Sequence, residues 1–289
     1  MKTIKTCILA VVLVALSQCK KDSQEPYSNE NIVMDNAQAA LFFHTVFREA
    51  EYAWAFIHRQ KYEEKTYTDS ASTATVYKKL TYEPYKNIET KKNMVTIEYH
   101  EWESNGLLLR GNIFVVFDND SSYRKDGKLA NVELKDFSIN GQNVVGEATL
   151  KYRKAASNPD TSKDQYTYTL LNGAAIYGKD YSKKVLVTSA ISNGQYERTE
   201  GYKTLTQDDD VWVYVSGEMK GTLHDDPKLK YTNTVTATYM NKDAKVYYTM
   251  DCKPASQGFS IIKITGRPDI VYWYRCDQIF FGSVTLHLR

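Results

Sequence analysis

The sequence predicts a mostly β protein: an elongated antiparallel β-meander of about a dozen strands in serial hairpins, preceded by one N-terminal amphipathic α-helix. From about residue 74 onward, apolar and polar residues alternate with a period of two, which is typical of strands that bury one face. Asn-Gly dipeptides separate these segments and favour the positive φ angles that two-residue hairpins need. The 23 tyrosines suit the same half-buried surface.

Turns are predicted where the alternation is interrupted, so strands adjacent in sequence are expected to pair antiparallel. The segment VTIEYHEWE further predicts that His100 and Trp102 share one face of a strand while Glu101 and Glu103 share the other. The predicted turns are Asn105-Gly106, Asn140-Gly141, Asn172-Gly173, Asn193-Gly194 and Lys242-Asp243.

One helix is predicted over residues 32–62, ahead of a β domain that covers residues 74–289. Asp35, with Gln38 three residues later, forms a capping-box pattern for its first turn. Apolar residues at three- and four-residue spacing define one face, which is expected to pack on the β domain. These residues are Phe43, Phe47, Ala50, Trp54 and Ile57.

Residues 1–18 have the pattern of a lipoprotein signal peptide. Lys2 and Lys5 precede an apolar run at residues 8–16, which is too short to span a membrane as a helix. The run ends in Leu16-Ser17-Gln18-Cys19, which resembles the lipobox of bacterial lipoproteins. That resemblance implies cleavage before Cys19 and acylation of this cysteine, for example with palmitate. An ordinary cleaved signal with an incidental cysteine is the alternative.

The polar residues 19–31 predict a flexible tether between the lipid and the folded body. Lys20-Lys21-Asp22 partly resembles the lysine-plus-acid signal that directs some lipoproteins to the cell surface. The expected location is therefore the bacterial outer membrane, with the lipid as the membrane anchor and the body facing either the surface or the periplasm.

The charge balance argues against a nucleic-acid partner. The chain has 37 Lys and Arg against 35 Asp and Glu. Removal of residues 1–18 takes away Lys2 and Lys5 and leaves 35 of each sign. A neutral body offers no net attraction to a phosphate backbone.

Two cysteines, Cys252 and Cys276, remain once Cys7 is assigned to the signal and Cys19 to the lipid. An even pair in a chain bound for an oxidising compartment favours a disulfide. Two unpaired buried thiols are the alternative.

Three segments resemble a family of Bacteroidetes-type outer-membrane lipoproteins of unknown function, over about residues 94–289. They are ELKDFSINGQNVVGEATLKY, GYKTLTQDDDVWVYVSGEMKGTL, and the closing hairpins from CKPASQGFSIIKI to YRCDQIFFGSVTLHLR. The resemblance implies the fold and the location. It implies no catalytic residues.

No catalytic, phosphate-binding or dinucleotide-binding motif is present, and no catalytic residue, cofactor or metal is expected. FDNDSSYRKDGKL invites comparison with a calcium loop. Tyr123 and Leu129, however, stand where an EF-hand needs glycine and glutamate. The acidic turns at residues 208–210 and 225–226 flank one strand and are expected to be solvated. Glu101 and Glu103 have a spacing that a glycosidase pair could use, but such pairs occur on most exposed strands.

The remaining candidates are aromatic residues on sheet faces, which either stack on a ligand where exposed or form core where buried. The expected function is a non-catalytic binding or structural module that engages a glycan or an envelope protein. A glycan-directed hydrolase with a site assembled from separated strands is the alternative. The candidate binding aromatics are Trp212, Tyr214, Tyr272, Trp273 and Tyr274.

Overall fold

In the part of the chain that the structure describes, the fold is a helix followed by an antiparallel sheet, which confirms the predicted fold class. The computed structural model describes residues 28–59, 65–68, 76–87, 92–104, 106–117, 129–154, 164–177, 183–185, 194–198, 212–222, 230–235, 238–239, 242–243, 245–249, 252, 255, 257–276 and 278–287. The predicted signal peptide, Cys19 and most of the tether lie outside these residues.

The helix α1 spans Asn29–Arg59, and eighteen strands follow it within the described ranges. The strands are β1 Lys65–Thr68, β2 Tyr77–Asn87, β3 Lys92–Ser104, β4 Leu107–Phe117, β5 Leu129–Ile139, β6 Gln142–Lys154, β7 Asp164–Tyr177, β8 Lys183–Val185, β9 Gly194–Arg198, β10 Trp212–Thr222, β11 Lys230–Val235, β12 Thr238–Tyr239, β13 Lys242–Asp243, β14 Val246–Tyr248, β15 Gln257–Ile264, β16 Ile270–Arg275, β17 Gln278–Phe281 and β18 Val284–Leu286.

Sixteen strands form one sheet, and most neighbours in the sheet are also neighbours in sequence. The order runs from β1 to β7, then through β9, β10 and β11 to β15, and on to β18. Strand β8 branches from β7, and β14 pairs with both β10 and β15. Strands β12 and β13 form a separate pair.

The helix begins earlier than predicted. The carbonyl of Ser28 accepts a hydrogen bond from the backbone N–H of Ile32, so the first turn starts at Asn29. Asp35 therefore lies in the second turn and does not cap the helix, which corrects the capping-box prediction. Residues 29–31, assigned to the tether, are helical as well.

The helix is buried on all sides rather than along one stripe. Phe43, Phe47 and Ala50 of the predicted apolar face are buried, but so are Leu41 and Glu49 elsewhere around the helix. It contacts β3 and β4, and also β7 and β16 far along the chain. The predicted N-terminal helix is confirmed, and its burial extends beyond the predicted apolar face because the sheet wraps around it.

A line of β-bulges crosses the sheet where it bends. Residues with positive φ occur at corresponding places in β3 to β6: Glu101 (51°), Gly111 (90°), Asp136 (52°) and Gly146 (137°). Pairing registers shift at each of these places. Because a bulge adds a residue to one strand and increases its bend and twist, this line lets the sheet curve around the helix.

The bulges also explain two errors of the sequence prediction. The extra residue at Glu101 turns Trp102 inward against the core and leaves His100 exposed, so these two do not share a face. Asn172-Gly173 lies within β7, where the register with β6 shifts between Val145 and Glu147, and makes no hairpin.

Other turn predictions had different outcomes. Asn140 and Gly141 both have positive φ, 51° and 75°, between β5 and β6, as the hairpin prediction requires. Lys242-Asp243 is itself strand β13, paired with β12. Strand β1 precedes the predicted start of the β domain at residue 74. Asn105 and Asn193 lie outside the described residues.

Candidate functional site

An aromatic row lies on the outer face of the C-terminal strands. Trp273 of β16 pairs directly with Phe259 of β15 on one side and with Phe280 of β17 on the other. The indole of Trp273 is 47% exposed, whereas Phe280 is half-buried and Phe259 is largely covered. Directly paired side chains point to the same face of a sheet, so the three rings form a row across three strands.

A polar row runs beside the aromatic row. Arg275 lies two residues beyond Trp273 and pairs with Gln257 of β15 and Gln278 of β17. Residues two apart on a strand share a face and are about 7 Å apart. Arg275 and Gln257 are exposed. We call these six residues the outer patch, in which hydrogen-bonding side chains lie next to rings.

Of the five aromatic residues predicted to bind, only Trp273 is an exposed surface residue among those whose side chains the structure describes. Tyr272 and Tyr274 point inward and are buried, because they alternate with Trp273 along β16. They are core residues and not a contact surface, which corrects that part of the prediction. Tyr214 is partly buried against the core, and burial raises its pKa. The side chain of Trp212 lies outside the described part.

Cys252 and Cys276 form a disulfide, with their α-carbons 4.6 Å apart. Cys276 directly follows β16, and Cys252 lies between β14 and β15. The bond therefore ties the chain that enters β15 to the end of β16, beside Arg275 of the outer patch.

A buried ionic cluster joins the second half of α1 to β2 and β3. The carboxylate of Glu49 accepts hydrogen bonds from Lys78 Nζ at 2.7 Å and from the Tyr99 hydroxyl at 2.5 Å, both to Oε2. Arg48 Nη2 lies 3.4 Å from Glu49 Oε1. The ammonium of Lys78 also lies over the rings of Tyr52 and Tyr99, 4.6 and 5.5 Å from their centroids.

The electrostatics of this cluster favour the ionised carboxylate. Burial by itself would raise the pKa of Glu49, but the charges of Lys78 and Arg48, together with hydrogen bonds from Lys78 and Tyr99, lower it to about 2. Burial raises the pKa of the Tyr99 hydroxyl well above its usual value, and the charge of Glu49 adds to this shift. Tyr99 therefore stays protonated and donates, and the cluster functions as a fixed link within the core.

His44 lies in the middle of the helix and is held neutral. Burial lowers its pKa well below the usual value, and the nearby charge of Arg48 lowers it further. Its ring stacks on that of Tyr248, with centroids 3.7 Å apart and planes at 11°. A neutral imidazole stacked on a phenol is well suited to a core.

A neutral polar network joins the first half of α1 to the C-terminal strands. The amide oxygen of Asn36 accepts hydrogen bonds from Asn233 Nδ2 at 2.6 Å and from the Tyr272 hydroxyl at 2.8 Å. The hydroxyls of Tyr272 and Tyr274 lie 3.1 Å apart. All four side chains are buried.

The residues of these two inner clusters were missed by sequence reasoning. Glu49 stands at a position that a one-face helix would turn to solvent, Asn36 is a polar residue within the predicted apolar face, and Lys78 lies in a segment that was not assigned as a strand. Their partners are remote in sequence, by 29 residues for Glu49 and Lys78 and by 236 for Asn36 and Tyr272. A cluster of polar residues in an otherwise apolar helix was the one available signal.

Other sequence candidates carry no site in the described structure. Glu101 is bound by Arg110, whose Nη2 lies 2.6 and 2.7 Å from the two carboxylate oxygens. No group of three or more His, Cys, Asp or Glu in the described residues could hold a metal ion. Residues 118–126, 208–210 and 225–226 lie outside the described residues.

Comparisons with known proteins do not identify the chain. No protein-family model matches it, and no curated protein or solved structure matches it either. Within the described residues, no helix is long and apolar enough to cross a membrane. The resemblance to Bacteroidetes-type lipoproteins and the lipid anchor at Cys19 therefore stay predictions.

Proposed function

We propose that the protein is a lipid-anchored lipoprotein of the bacterial outer membrane and a non-catalytic binding module that captures a glycan through the outer patch. The observation that carries this proposal is the exposed Trp273, set between two cross-strand rings and beside Arg275. An indole face at the surface can stack on the apolar face of a sugar ring, while guanidinium and amide groups bond its hydroxyls.

The scaffold supports recognition without conformational change. Cross-strand pairing fixes the positions of the six patch residues, and the disulfide holds the end of β16 next to them. A lipid anchor would concentrate such modules on one membrane, so that weak capture at each site still gives avid binding to a repeating polymer. An envelope protein is the other partner class that an exposed aromatic could engage.

The binding test is a glycan array probed with the purified body, followed by affinity measurement on the strongest hit. The variant Trp273→Ala is expected to weaken binding at least tenfold, and Arg275→Ala by a smaller factor. Val145→Ala is the matched control, because Val145 is also an exposed apolar residue, 38% accessible, on distant strand β6. Circular dichroism should be the same for all three variants.

The outcomes distinguish the partner classes. Array binding that survives Trp273→Ala would remove the outer patch from the proposal. An empty array combined with capture of one defined envelope protein, lost in Trp273→Ala, would replace the glycan by a protein partner. Hydrolysis of a polysaccharide by the purified body, abolished by a single carboxylate substitution, would establish the alternative of a glycan-directed hydrolase.

The anchor is tested separately. Cys19→Ser in the full-length chain should move the protein from the membrane fraction to the soluble fraction and abolish labelling by a palmitate analogue. A variant that still partitions with membranes and still incorporates label would refute acylation of Cys19, and it would leave the outer patch unaffected.

A further inference from the structure

Arg275 of the outer patch is an exposed guanidinium that forms no ion pair with the residues that the structure describes. Two other exposed basic residues of the sheet have a carboxylate partner. Arg110 binds Glu101, and Lys220 Nζ lies 3.3 Å from Glu218 Oε2. The charge of Arg275 is therefore available to a ligand.

The row of residues around Arg275 is polar and uncharged. Gln257 of β15 and Gln278 of β17 pair with Arg275 on its two sides, and Tyr247 of β14 pairs with Gln257. Neighbouring strands are about 4.8 Å apart, so this row extends about 14 Å across four strands. Asp277, two residues after Arg275, lies outside the described residues. Within the described row, amide and hydroxyl groups surround one positive charge.

The aromatic row lies one step away on the same face. Trp273 is two residues from Arg275 on β16, and residues with this spacing are about 7 Å apart. The exposed indole can stack on one face of a sugar ring. Because the arginine side chain is long, a substituent at the edge of that ring comes within reach of its guanidinium.

The guanidinium of Arg275 favours one kind of substituent. It has five N–H donors and no acceptor, in a planar fork that matches two oxygens of a carboxylate or a sulfate. A sugar hydroxyl accepts a neutral hydrogen bond, whereas an oxyanion accepts two charge-assisted ones. An acidic sugar therefore uses the charge of Arg275, and a neutral sugar does not.

Given glycan capture by the outer patch, as proposed above, we infer that the ligand is an acidic glycan that carries carboxylate or sulfate groups. One of these groups binds Arg275 while the adjoining sugar ring stacks on Trp273. Gln257 and Gln278 bond hydroxyls on either side of the charged group. Uronic acids and sulfated sugars are the two sources of this chemistry.

The test measures the affinity of the purified body for matched acidic and neutral probes. The probes are tetrasaccharides of polygalacturonate, hyaluronate and chondroitin sulfate, each also prepared in a carboxyl-reduced form and, for the last, in a desulfated form. The acidic form should bind about three- to fivefold more tightly than its neutral counterpart, because an exposed ion pair contributes up to about 1 kcal/mol. Added salt should reduce this preference. Loss of the preference on carboxyl reduction or on desulfation identifies the group that Arg275 binds.

Variants connect the preference to Arg275. Arg275→Gln should remove it, because an amide keeps hydrogen bonding and has no charge. Trp273→Ala should weaken the acidic and neutral forms by the same factor. Lys263→Gln is the matched control and should keep the preference: Lys263 is an exposed cation on the same face of β15, six residues and about 20 Å from Gln257.

The outcomes distinguish an acidic ligand from glycan capture in general. Equal affinity for the acidic and neutral forms, with binding still lost in Trp273→Ala, would overturn the acidic ligand and leave glycan capture standing. A preference that survives Arg275→Gln unchanged would likewise overturn the role of Arg275. Binding to none of the tetrasaccharides in either form, together with an empty glycan array, would refute glycan capture itself.

Discussion

Glu49 and Lys78 form a buried ion pair with 2.7 Å between the carboxylate oxygen and the ammonium nitrogen, and it links the helix to β2. Both side chains are almost wholly inaccessible to solvent. Removal of one charge leaves the other without its main partner in the core. The pair therefore fixes how the helix is set within the sheet.

The variant Lys78→Met should destabilise the protein by about 3–5 kcal/mol in urea denaturation, because it leaves the Glu49 carboxylate buried with less compensation. The double variant Glu49→Leu/Lys78→Met should lose less than the sum of the two single variants, since it removes both charges of the pair together; Arg48 then keeps its contact with Ser104 Oγ at 3.5 Å. Lys220→Met is the control: Lys220 pairs with Glu218 at 3.3 Å on the surface and should contribute less than about 1 kcal/mol. Equal losses for Lys78→Met and Lys220→Met would contradict the role assigned to the pair.

The free energy of unfolding should decrease at acidic pH because Glu49 becomes protonated. Its pKa in the folded state is about 2, below the usual 4.5, so the unfolded chain takes up the proton first as the pH falls. The stabilising contribution is complete above about pH 4.5 and is lost between there and pH 2, by on the order of 3 kcal/mol. In Glu49→Gln, unfolding free energies measured across this range should vary less steeply. Identical slopes for wild type and variant would exclude Glu49 as the source.

His44 predicts a second dependence at higher pH. Its pKa is lowered well below 6.5 in the folded state, so below that pH the unfolded chain is protonated while the folded protein resists protonation. Stability should therefore fall as the pH decreases from about 7 to 5. His44→Phe keeps a ring against Tyr248 and should flatten this part of the profile. The same slope in wild type and His44→Phe would exclude His44 as the source of this dependence.

Gly111 is required by the bend of the sheet. Its φ is +90°, and a Cβ there would overlap the backbone carbonyl of Asp136 in β5. Gly111→Ala should therefore cost more than about 3 kcal/mol, since strain and steric overlap add. Gly266→Ala has a similar φ of +78° but open space around the new methyl group, and it should cost about 1 kcal/mol. If thermal denaturation shows the same loss of stability for Gly111→Ala and Gly266→Ala, the close approach of β4 and β5 does not contribute to the cost at Gly111.

The disulfide should stabilise the C-terminal strands chiefly by restricting the unfolded chain. Cys252 and Cys276 are 24 residues apart, and closure of a loop of this length contributes about 3 kcal/mol. The double variant Cys252→Ser/Cys276→Ser should lower the urea midpoint accordingly. Non-reduced peptide mapping provides the direct check: two freely alkylated thiols in native protein would refute the bond.

The sequence supports the fold class because alternation and Asn-Gly turns are local signals. The hairpin at Asn140-Gly141 is an example, since the positive φ of both residues is a local preference of Asn-Gly. The bulge at Glu101 leaves a weaker signal. In VTIEYHEWE the apolar residues occupy positions 95, 97 and 99 and then 102, so the alternation changes phase at the bulge. Such a change does not by itself reveal that the sheet curves around the helix.

The candidate sites also combine features that the sequence predicts with features that only the tertiary structure reveals. Trp273 could be named from sequence as one of several rings on β16, but which ring faces solvent depends on which side of the strand the helix occupies. Tyr272 and Tyr274 are buried because Asn36 lies on their side. From the sequence alone, a polar residue in a helix is expected to be exposed to solvent. The tertiary structure is needed to show that Lys78 is the partner of Glu49 and Asn233 that of Asn36.

The helix, enclosed on all sides by strands from both ends of the chain, has a consequence for the order of folding. Residues 29–59 are synthesised before the strands, yet Asn36 accepts its hydrogen bond from Tyr272, which is 236 residues further along the chain. Contacts this distant close large loops and form late. Until the enclosing strands form, the apolar and charged side chains of the helix are not covered by the rest of the protein. The helix is thus synthesised before the strands that enclose it and becomes fully enclosed late in folding.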